Sequence, residues 1–220
     1  MDRHITIPQS APLTAPFTQG GLIIGITGGT GCGKTTLLNL IAERGGLILD
    51  CDAIYHELLA SDAAMLAAIE KRFPGVVENG SLNRKRLGTI VFADENALLD
   101  LNRITHAAVK QEVLRRLETA PKLAAIDAIG LFEGGLSELC DVTVAVTAPE
   151  EARIQRLQLR DGISRDYAIS RIRAQHDESW FRERCDHVLE NSGKLDAFAT
   201  KCLAFLDTLG IMKEKSVGNL

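Results

Sequence analysis

The fold of this chain is decided by the stretch Gly28-Gly29-Thr30-Gly31-Cys32-Gly33-Lys34-Thr35. It fits the phosphate-binding pattern G-x-x-x-x-G-K-S/T. The apolar run Gly21–Thr27 before it predicts a strand, and the leucine-rich segment Lys34–Glu43 after it predicts a helix. A glycine loop between a strand and a helix is the context that this pattern requires. The alternative, a glycine-rich turn without a ligand, is disfavoured by that context.

The residues of this loop have separate expected roles. Glycines such as Gly28 and Gly33 allow backbone conformations in which successive N–H groups point at phosphate oxygens. Lys34 is expected to reach the β- and γ-phosphates of ATP, and the hydroxyl of Thr35 to hold Mg²⁺. The N-terminus of the following helix adds its dipole to the same site. The sequence therefore predicts a site for ATP and magnesium.

The composition argues against several other classes of protein. The 220 residues are 45% apolar and 25% charged, as in one ordinary globular domain. A net charge of −4 argues against a nucleic-acid partner, which would need clustered lysine and arginine. The five cysteines are widely spaced without a CxxC pair, as in reduced cytosolic proteins. The apolar runs are too short to cross a bilayer and the N-terminus lacks a signal-peptide plan, so we expect a cytoplasmic protein with no membrane partner.

Short apolar segments recur along the chain, and each predicts a strand. Helical patterns lie between them, which predicts an α/β fold with a parallel sheet covered by helices on both faces. The predicted strands after the first are Leu47–Asp50, Leu123–Asp127, Val142–Val146 and His187–Leu189.

The sequence predicts a lead-in, a main domain with a helical subdomain inside it, and a tail. Residues 1–20 carry three prolines and no periodicity, which is typical of a flexible lead-in, and residues 21–210 form the main domain. Within it, residues 53–117 are almost entirely helical in pattern, which suggests a helical subdomain over the sheet edge where an acceptor could bind. Residues 211–220 are expected to be a tail.

Three aspartates lie at the carboxyl ends of two predicted strands. Asp127 ends an apolar strand, where a carboxylate can orient Mg²⁺ directly or through water, although such an aspartate can also be a turn former. Asp50 and Asp52 follow the second strand, at the edge of a parallel sheet where ligands bind. We expect Asp52 to accept the proton of an acceptor hydroxyl, while Asp50 is tied to neighbouring N–H groups or the magnesium shell. The alternative for Asp52 is a helix cap for a helix that starts at Ala53.

Arginines are concentrated in one later part of this acidic chain. Thr147 and Glu150 have capping-box spacing with Pro149 in the first turn, which predicts a helix start there. The following arginines either form a solvated helix face or belong to a mobile lid, at about 160–178, that closes over the phosphates. The lid is favoured, with Arg160 as its expected phosphate contact. These arginines are Arg153, Arg156, Arg160, Arg165, Arg171 and Arg173.

Taken together, several segments resemble the dephospho-CoA kinase family over about residues 22–206. The resemblance implies a P-loop kinase core with a parallel β-sheet flanked by helices, a helical acceptor subdomain and an Arg-rich lid. It also implies ATP-dependent phosphorylation of the ribose 3′-hydroxyl of dephospho-CoA, the last step of coenzyme A synthesis. The segments that carry it are Gly25–Thr36, Leu49–Ile54, Gly80–Leu87 with Val91–Ala93, Leu131–Gly134, Arg160–Ile163, Arg171–Gln175 and Glu190–Gly193.

The resemblance also assigns roles by matching position. It implies that Asp52 is the general base, that Arg160 is the lid arginine and that His106 and Arg84 bind the acceptor. The implied nucleotide site comprises Gly31, Cys32, Gly33, Lys34, Thr35, Thr36 and Asn191. A monomer is expected.

The chain departs from the family pattern at three places. His106 is followed by Ala107 instead of proline, Ile129 stands where the family has proline, and Trp180-Phe181 replaces a basic residue. All three lie on the expected acceptor and lid sides of the site, so they concern the acceptor geometry more than phosphoryl transfer.

Three other functions match parts of the sequence. Asp127–Gly130 fits the D-x-x-G pattern of small GTPases, but Gly193 replaces the asparagine of N-K-x-D, and the helical stretch after Asp52 leaves no room for their switch strands. Another P-loop kinase of small metabolites, such as a nucleoside or nucleotide kinase, is a closer rival. A nucleotide-sensing relative without catalysis is the third possibility.

Overall fold

The computed structural model describes residues 21–193 and 195–212. The predicted lead-in at 1–20 and most of the predicted tail lie outside these residues. The strands are β1 (Leu22–Thr27), β2 (Leu47–Asp50), β3 (Val77–Glu78), β4 (Ser81–Leu82), β5 (Leu123–Asp127), β6 (Val142–Thr147) and β7 (His187–Glu190). The helices are α1 (Lys34–Ala42), α2 (Cys51–Ser61), α3 (Ala63–Arg72), α4 (Arg84–Val91), α5 (Glu95–Leu117), α6 (Glu150–Asp161), α7 (Arg165–Arg173), α8 (Glu178–Arg184) and α9 (Leu195–Thr208).

The main sheet has five parallel strands in the order β2-β5-β1-β6-β7. All five strands predicted from the sequence are present in it. In β1, Ile24 and Ile26 are fully buried, as expected for a central strand with helices on both faces. Because all five strands run the same way, their carboxyl ends meet at one edge of the sheet, and Asp50 lies in register with Asp127 there.

Two apolar clusters cover the two faces of this sheet. On one face, Leu37 and Ile41 of α1 pack with Phe198 and Leu206 of α9. On the other face, Ile54 of α2 and the valines of α5 pack against alternate residues of the strands. Successive residues of β1 and β5 alternate between the two clusters, which fixes which helix covers which face.

A third cluster lies away from the sheet, within residues 51–117. It joins α3, α4 and α5 around the fully buried Ile69 and Phe73. The stretch predicted as almost entirely helical contains α2 through α5, and a short antiparallel ribbon of β3 and β4, which was not predicted, lies between α3 and α4. The two-residue strands are too short to show a period-2 pattern, and only the turn residues Asn79 and Gly80, both with positive φ, mark them.

The start of α6 differs from the predicted capping box. The helix begins at Glu150 with Pro149 at the N-cap and no side-chain cap. Thr147 is instead the last residue of β6, and its buried hydroxyl makes no hydrogen bond to the described residues. The spacing of a capping box is short enough to occur by chance where a strand runs directly into a helix.

The cysteines are free thiols, as the sequence predicted. Burial raises the pKa of Cys51 and Cys140 to about 12, and that of Cys185 and Cys202 to about 11. Such thiols stay protonated and pack as small apolar side chains. Within residues 21–193 and 195–212, no helix has the length and hydropathy to cross a bilayer.

The third cluster should contribute to stability independently of the sheet. We expect Ile69→Ala to lower the free energy of unfolding by about 2–5 kcal/mol, because it removes a fully buried side chain from the cluster. Urea unfolding followed by circular dichroism measures the change. Leu99→Ala, in the exposed part of α5, is the control and should change it by less than about 0.5 kcal/mol. Equal effects of the two variants would contradict the assignment of Ile69 to a packed core.

Candidate active site

The phosphate loop joins the end of β1 to the start of α1. Three of its glycines, Gly28, Gly31 and Gly33, have φ values of 128°, 77° and 96°, which only glycine adopts readily. Gly28 also lies so close to β6 that a Cβ atom would sit 2.1 Å from the carbonyl oxygen of Val146. The glycines that the sequence placed in the loop are therefore required by the backbone path and by the neighbouring strand.

Lys34, the first residue of α1, reaches back over this loop. Its Nζ donates a hydrogen bond of 3.1 Å to the carbonyl oxygen of Gly28 and lies 3.9 Å from Oδ1 of Asp127. Thr35 is exposed beside it, and Thr36 follows in the first turn. A cleft of about 540 Å³ opens above the loop and is lined by Lys34 and Thr35 together with Asp50, Asp52 and Asp127.

Asp127 is largely buried at the end of β5. Burial raises the pKa of this carboxyl to about 6; Lys34 lowers it, while Asp50 and Asp52 raise it further. Its Oδ1 atom is buried and accepts no hydrogen bond from the described residues. A carboxylate oxygen without a donor, in the same cleft as the exposed Thr35, suits Mg²⁺, a cation that takes few protein ligands and shares phosphate oxygens.

Asp50 and Asp52 have different local roles. One oxygen of Asp50 accepts hydrogen bonds from the N–H groups of Asp52 and Ala53 at 2.9 and 3.0 Å, so Asp50 is the N-cap of α2. The helix therefore begins at Cys51, two residues before the expected start at Ala53, and the alternative that Asp52 is the helix cap was wrong. Asp50 is tied to neighbouring N–H groups, which is one of the two roles expected for it. Asp52 lies in the first turn with an exposed side chain, free of the capping role.

Beside the phosphate cleft lies a second cavity, of about 260 Å³, between α2 and α5. Asp52 and Ile129 line both cavities, so they mark the boundary between them. His106, from the middle of α5, lines the second cavity together with Tyr55. Arg84 does not reach it. It lines a separate apolar groove on the other side of Tyr55.

The predicted lid arginine has partners within its own segment. Arg160 binds the adjacent Asp161 through two hydrogen bonds of 2.6 and 3.0 Å, and Arg171 of α7 binds the same carboxylate at 2.8 Å. These arginines lower the pKa of Asp161 to about 2. Both line the phosphate cleft, so α6 and α7 present two cations to it that a single carboxylate positions.

Three side chains that the sequence did not single out hold the phosphate loop. Arg153 donates from Nε to the carbonyl oxygen of Thr30 at 2.9 Å, and Gln175 accepts from the N–H of Thr30 at 2.8 Å. Arg156 donates to the carbonyl oxygens of Gly31 and Cys32 at 3.1 and 3.2 Å. The arginines were visible as part of a charge run, but their partners are backbone atoms more than a hundred residues away, for which the sequence holds no signal.

Asn191 and Cys32 belong to the same framework. Asn191 is buried after β7 and donates from its amide nitrogen to the carbonyl oxygen of Cys32 at 2.9 Å. The Cys32 side chain is itself buried, and burial raises the pKa of its thiol. Both residues therefore shape the loop through its backbone; their side chains do not line the cleft.

The residues that depart from the family pattern lie in three different environments. Ile129 lines both cavities at the boundary marked by Asp52. Ala107 is exposed within the continuous helix α5. Trp180 stacks on His176, with the rings parallel to within 2° and 3.8 Å apart, and Phe181 is buried beside them.

The sheet order, the glycine loop and the lysine that caps it define a P-loop kinase. The family model of dephospho-CoA kinase matches residues 22–197. The chain is 34% identical over 194 residues to a dephospho-CoA kinase of Syntrophotalea carbinolica, which covers 86% of this chain and 92% of the relative. It is 37% identical over 185 residues to one of Anaeromyxobacter dehalogenans, covering 81% and 88%. The chain belongs to the dephospho-CoA kinase family.

Solved structures agree with this fold. A crystal structure of a protein from Thermus thermophilus has a TM-score of 0.73 and 33% identity, and covers 87% of this chain and 99% of its own. The dephospho-CoA kinase of Campylobacter jejuni has a TM-score of 0.61 and 23% identity, and covers 86% and 98%. The second likeness concerns the fold alone.

The close approach of the loop to β6 gives a direct test. We expect Gly28→Ala to lower the free energy of unfolding by about 1–3 kcal/mol, because the new methyl group would clash with a backbone carbonyl. It should also abolish detectable binding of an ATP analogue, measured by calorimetry. The matched control is Gly88→Ala in α4, where the methyl group meets only ordinary contacts at 3.5 Å, and binding should be unchanged. Normal nucleotide binding by Gly28→Ala would refute the described loop geometry.

Proposed function

We propose that Asp52 accepts the proton of the ribose 3′-hydroxyl of dephospho-CoA as the γ-phosphate of ATP is transferred to that oxygen. The chain is an ATP-dependent phosphotransferase by its family. The proposal for Asp52 depends on one observation: its side chain lines both the phosphate cleft and the adjoining cavity, and Asp50 has taken the capping role. A carboxylate at that boundary can meet a hydroxyl on one side and a phosphate on the other.

The donor side of the reaction uses the phosphate loop. The loop N–H groups and Lys34 would hold the β- and γ-phosphates, and Thr35 and Asp127 would hold Mg²⁺. Bound Mg²⁺ would neutralise phosphate charge as it develops during transfer. Lys34 already lies over the loop, close to Gly28 and Asp127, so it needs only a short movement to reach a phosphate in the cleft.

The acceptor would occupy the second cavity and the adjoining helical region. His106 and Tyr55 line the cavity next to Asp52, where the ribose and base of the acceptor would bind. Arg84 stands beyond Tyr55, and its cation suits the diphosphate of an acceptor too long for the cavity alone. The helical acceptor subdomain proposed at 53–117 thus corresponds mainly to α2 through α5. We propose a monomer as the catalytic unit.

Arg160 and the segment 160–178 would act as a lid. Arg160 and Arg171 line the phosphate cleft while they share the Asp161 carboxylate. Exchange of that carboxylate for phosphate oxygens would bring two guanidinium groups onto the transferred phosphoryl group. Gly162 with its positive φ directly follows α6 and provides a flexible joint before α7.

Lys34 gives the first test of this proposal. We expect Lys34→Ala to abolish turnover, because the loop offers no second ammonium to the β- and γ-phosphates. Coupled measurement of ADP formation with dephospho-CoA as acceptor reports the rate, and thermal unfolding confirms the fold. Lys201→Ala, at an exposed position of α9, is the control and should retain full activity. Undiminished turnover by Lys34→Ala would rule out the loop as the catalytic phosphate site.

Asp52 is tested by removal of its charge alone. We expect Asp52→Asn to lower kcat by about 10²–10⁴-fold, the usual contribution of a positioned base, while the Kd of ATP hardly changes. A loose transition state depends less on a base, so the low end of this range is expected.

Asp50→Asn is the matched comparison for Asp52. Asparagine is as good an N-cap as aspartate, so α2 should remain stable, and any effect should fall on nucleotide and magnesium binding. The assignment of the base fails if Asp52→Asn keeps more than about a third of the kcat of the wild type, well short of the loss expected for a base.

A further inference from the structure

Two consecutive side chains, Gln175 and His176, follow helix α7 and reach in different directions. Gln175 contacts the phosphate loop, and His176 contacts the loop after β5. We call residues 128–136 the acceptor loop, because Ala128, Gly130, Gly134 and Leu136 line the cavity assigned to the acceptor. One short segment therefore contacts both substrate sites.

Three hydrogen bonds join Gln175, Arg153 and the backbone of Thr30 in the phosphate loop. Its Oε1 accepts from the N–H of Thr30 at 2.8 Å and from Nη2 of Arg153 at 3.1 Å. Arg153 in turn donates to the carbonyl oxygen of Thr30 at 2.9 Å. Both backbone groups of Thr30 are thus fixed by one side chain from α6 and one from the end of α7. A shift of Gln175 would break two of these three bonds and release the loop residue at their centre.

The contact of His176 with the acceptor loop combines polar and aromatic parts. Nε2 of His176 lies 2.6 Å from a carboxylate oxygen of Glu133. The His176 ring stacks on Trp180 at 3.8 Å, and Trp180 meets the edge of Phe132 at 5.5 Å between ring centres. A polar contact between exposed side chains contributes little alone, but here two neighbouring residues of the acceptor loop are held by one packed unit.

We propose that Gln175 and His176 are positioning residues that couple the two substrate sites of this kinase. When nucleotide settles the phosphate loop, Gln175 is fixed through Thr30, and His176 then holds the acceptor loop in its binding conformation. The same link acts in reverse, because energetic coupling between two sites is reciprocal. This inference rests on the proposed function, in which the cleft binds ATP and the adjoining cavity binds dephospho-CoA.

The coupling can be measured as a ratio of affinities. Calorimetry gives the Kd of adenylyl imidodiphosphate with Mg²⁺, first alone and then with saturating dephospho-CoA. In the wild type we expect the acceptor to tighten nucleotide binding by at least about fivefold, the lower end of typical coupling. The converse titration should give the same factor. Trp180 is the single tryptophan of the chain, so its emission reports on the His176 contact in the same titrations.

Variants at the two positions should remove the coupling. Gln175→Ala and His176→Ala should each reduce the factor to below about twofold, far less than typical coupling. Gln175→Glu keeps the acceptor oxygen and His176→Gln keeps a donor, so these two variants should retain most of the coupling factor. Gln111→Ala, on the exposed face of α5, is the control and should leave the factor unchanged. A merely structural defect would weaken both ligands without changing the ratio.

The outcomes separate this inference from the proposed function. If the wild type neither binds nor phosphorylates dephospho-CoA, the proposed acceptor is wrong before any variant is compared. If the wild type is active but shows no coupling, the junction is refuted. It is equally refuted if Gln175→Ala and His176→Ala keep the full factor, or if Gln111→Ala loses as much as they do.

Discussion

A peptide loop that turns its N–H groups toward a phosphate must turn carbonyl oxygens away from it, and those oxygens need donors of their own. In this kinase the carbonyl oxygens of Gly28, Thr30, Gly31 and Cys32 each have one. The donors are Lys34 from the loop itself and Arg153, Arg156 and Asn191 from the second half of the chain. The shape of the phosphate loop therefore depends on side chains that fold onto it from β7 and α6.

This constraint changes the interpretation of the arginine-rich region. The sequence offered two alternatives, a solvated helix face or a lid, and the structure divides the residues between more than two roles. Arg153 and Arg156 support the loop backbone, and Arg165 pairs with Glu151 at the surface. Arg160 and Arg171 line the cleft and share the carboxylate of Asp161. Arg156 also lines the cleft, but its partners are loop carbonyl oxygens, whereas Arg160 and Arg171 combine a place in the cleft with a carboxylate partner. An arginine count would not separate these roles, because each depends on which partner the fold brings near.

The sequence predicted the sheet well because its strands are short apolar runs bounded by glycine or aspartate, and the phosphate loop fixed where the first one ends. It failed at the ribbon of β3 and β4, where two residues per strand carry no period, and at Thr147, where a local spacing imitated a cap. Asp52 and Lys34 could be selected from local motifs. Gln175 could not be selected for its role, because its partner Thr30 becomes a neighbour only after the chain between them has folded.

Three carboxylates lie together at the carboxyl ends of β2 and β5, so negative charge accumulates where the nucleotide is proposed to bind. Asp50, Asp52 and Asp127 line the same cleft, and Lys34 is the cation closest to Asp127. ATP would add several more negative charges to this space, so its entry requires cations to come with it or to close over it. In the proposed function, Mg²⁺ held by Thr35 and Asp127 would come with the nucleotide, Lys34 already lies in the cleft, and Arg160 and Arg171 would close over it. In the same proposal, the acidic ends of the strands would favour nucleotide that arrives with its metal ion over free nucleotide, and Asp52 is the carboxylate proposed to face the acceptor.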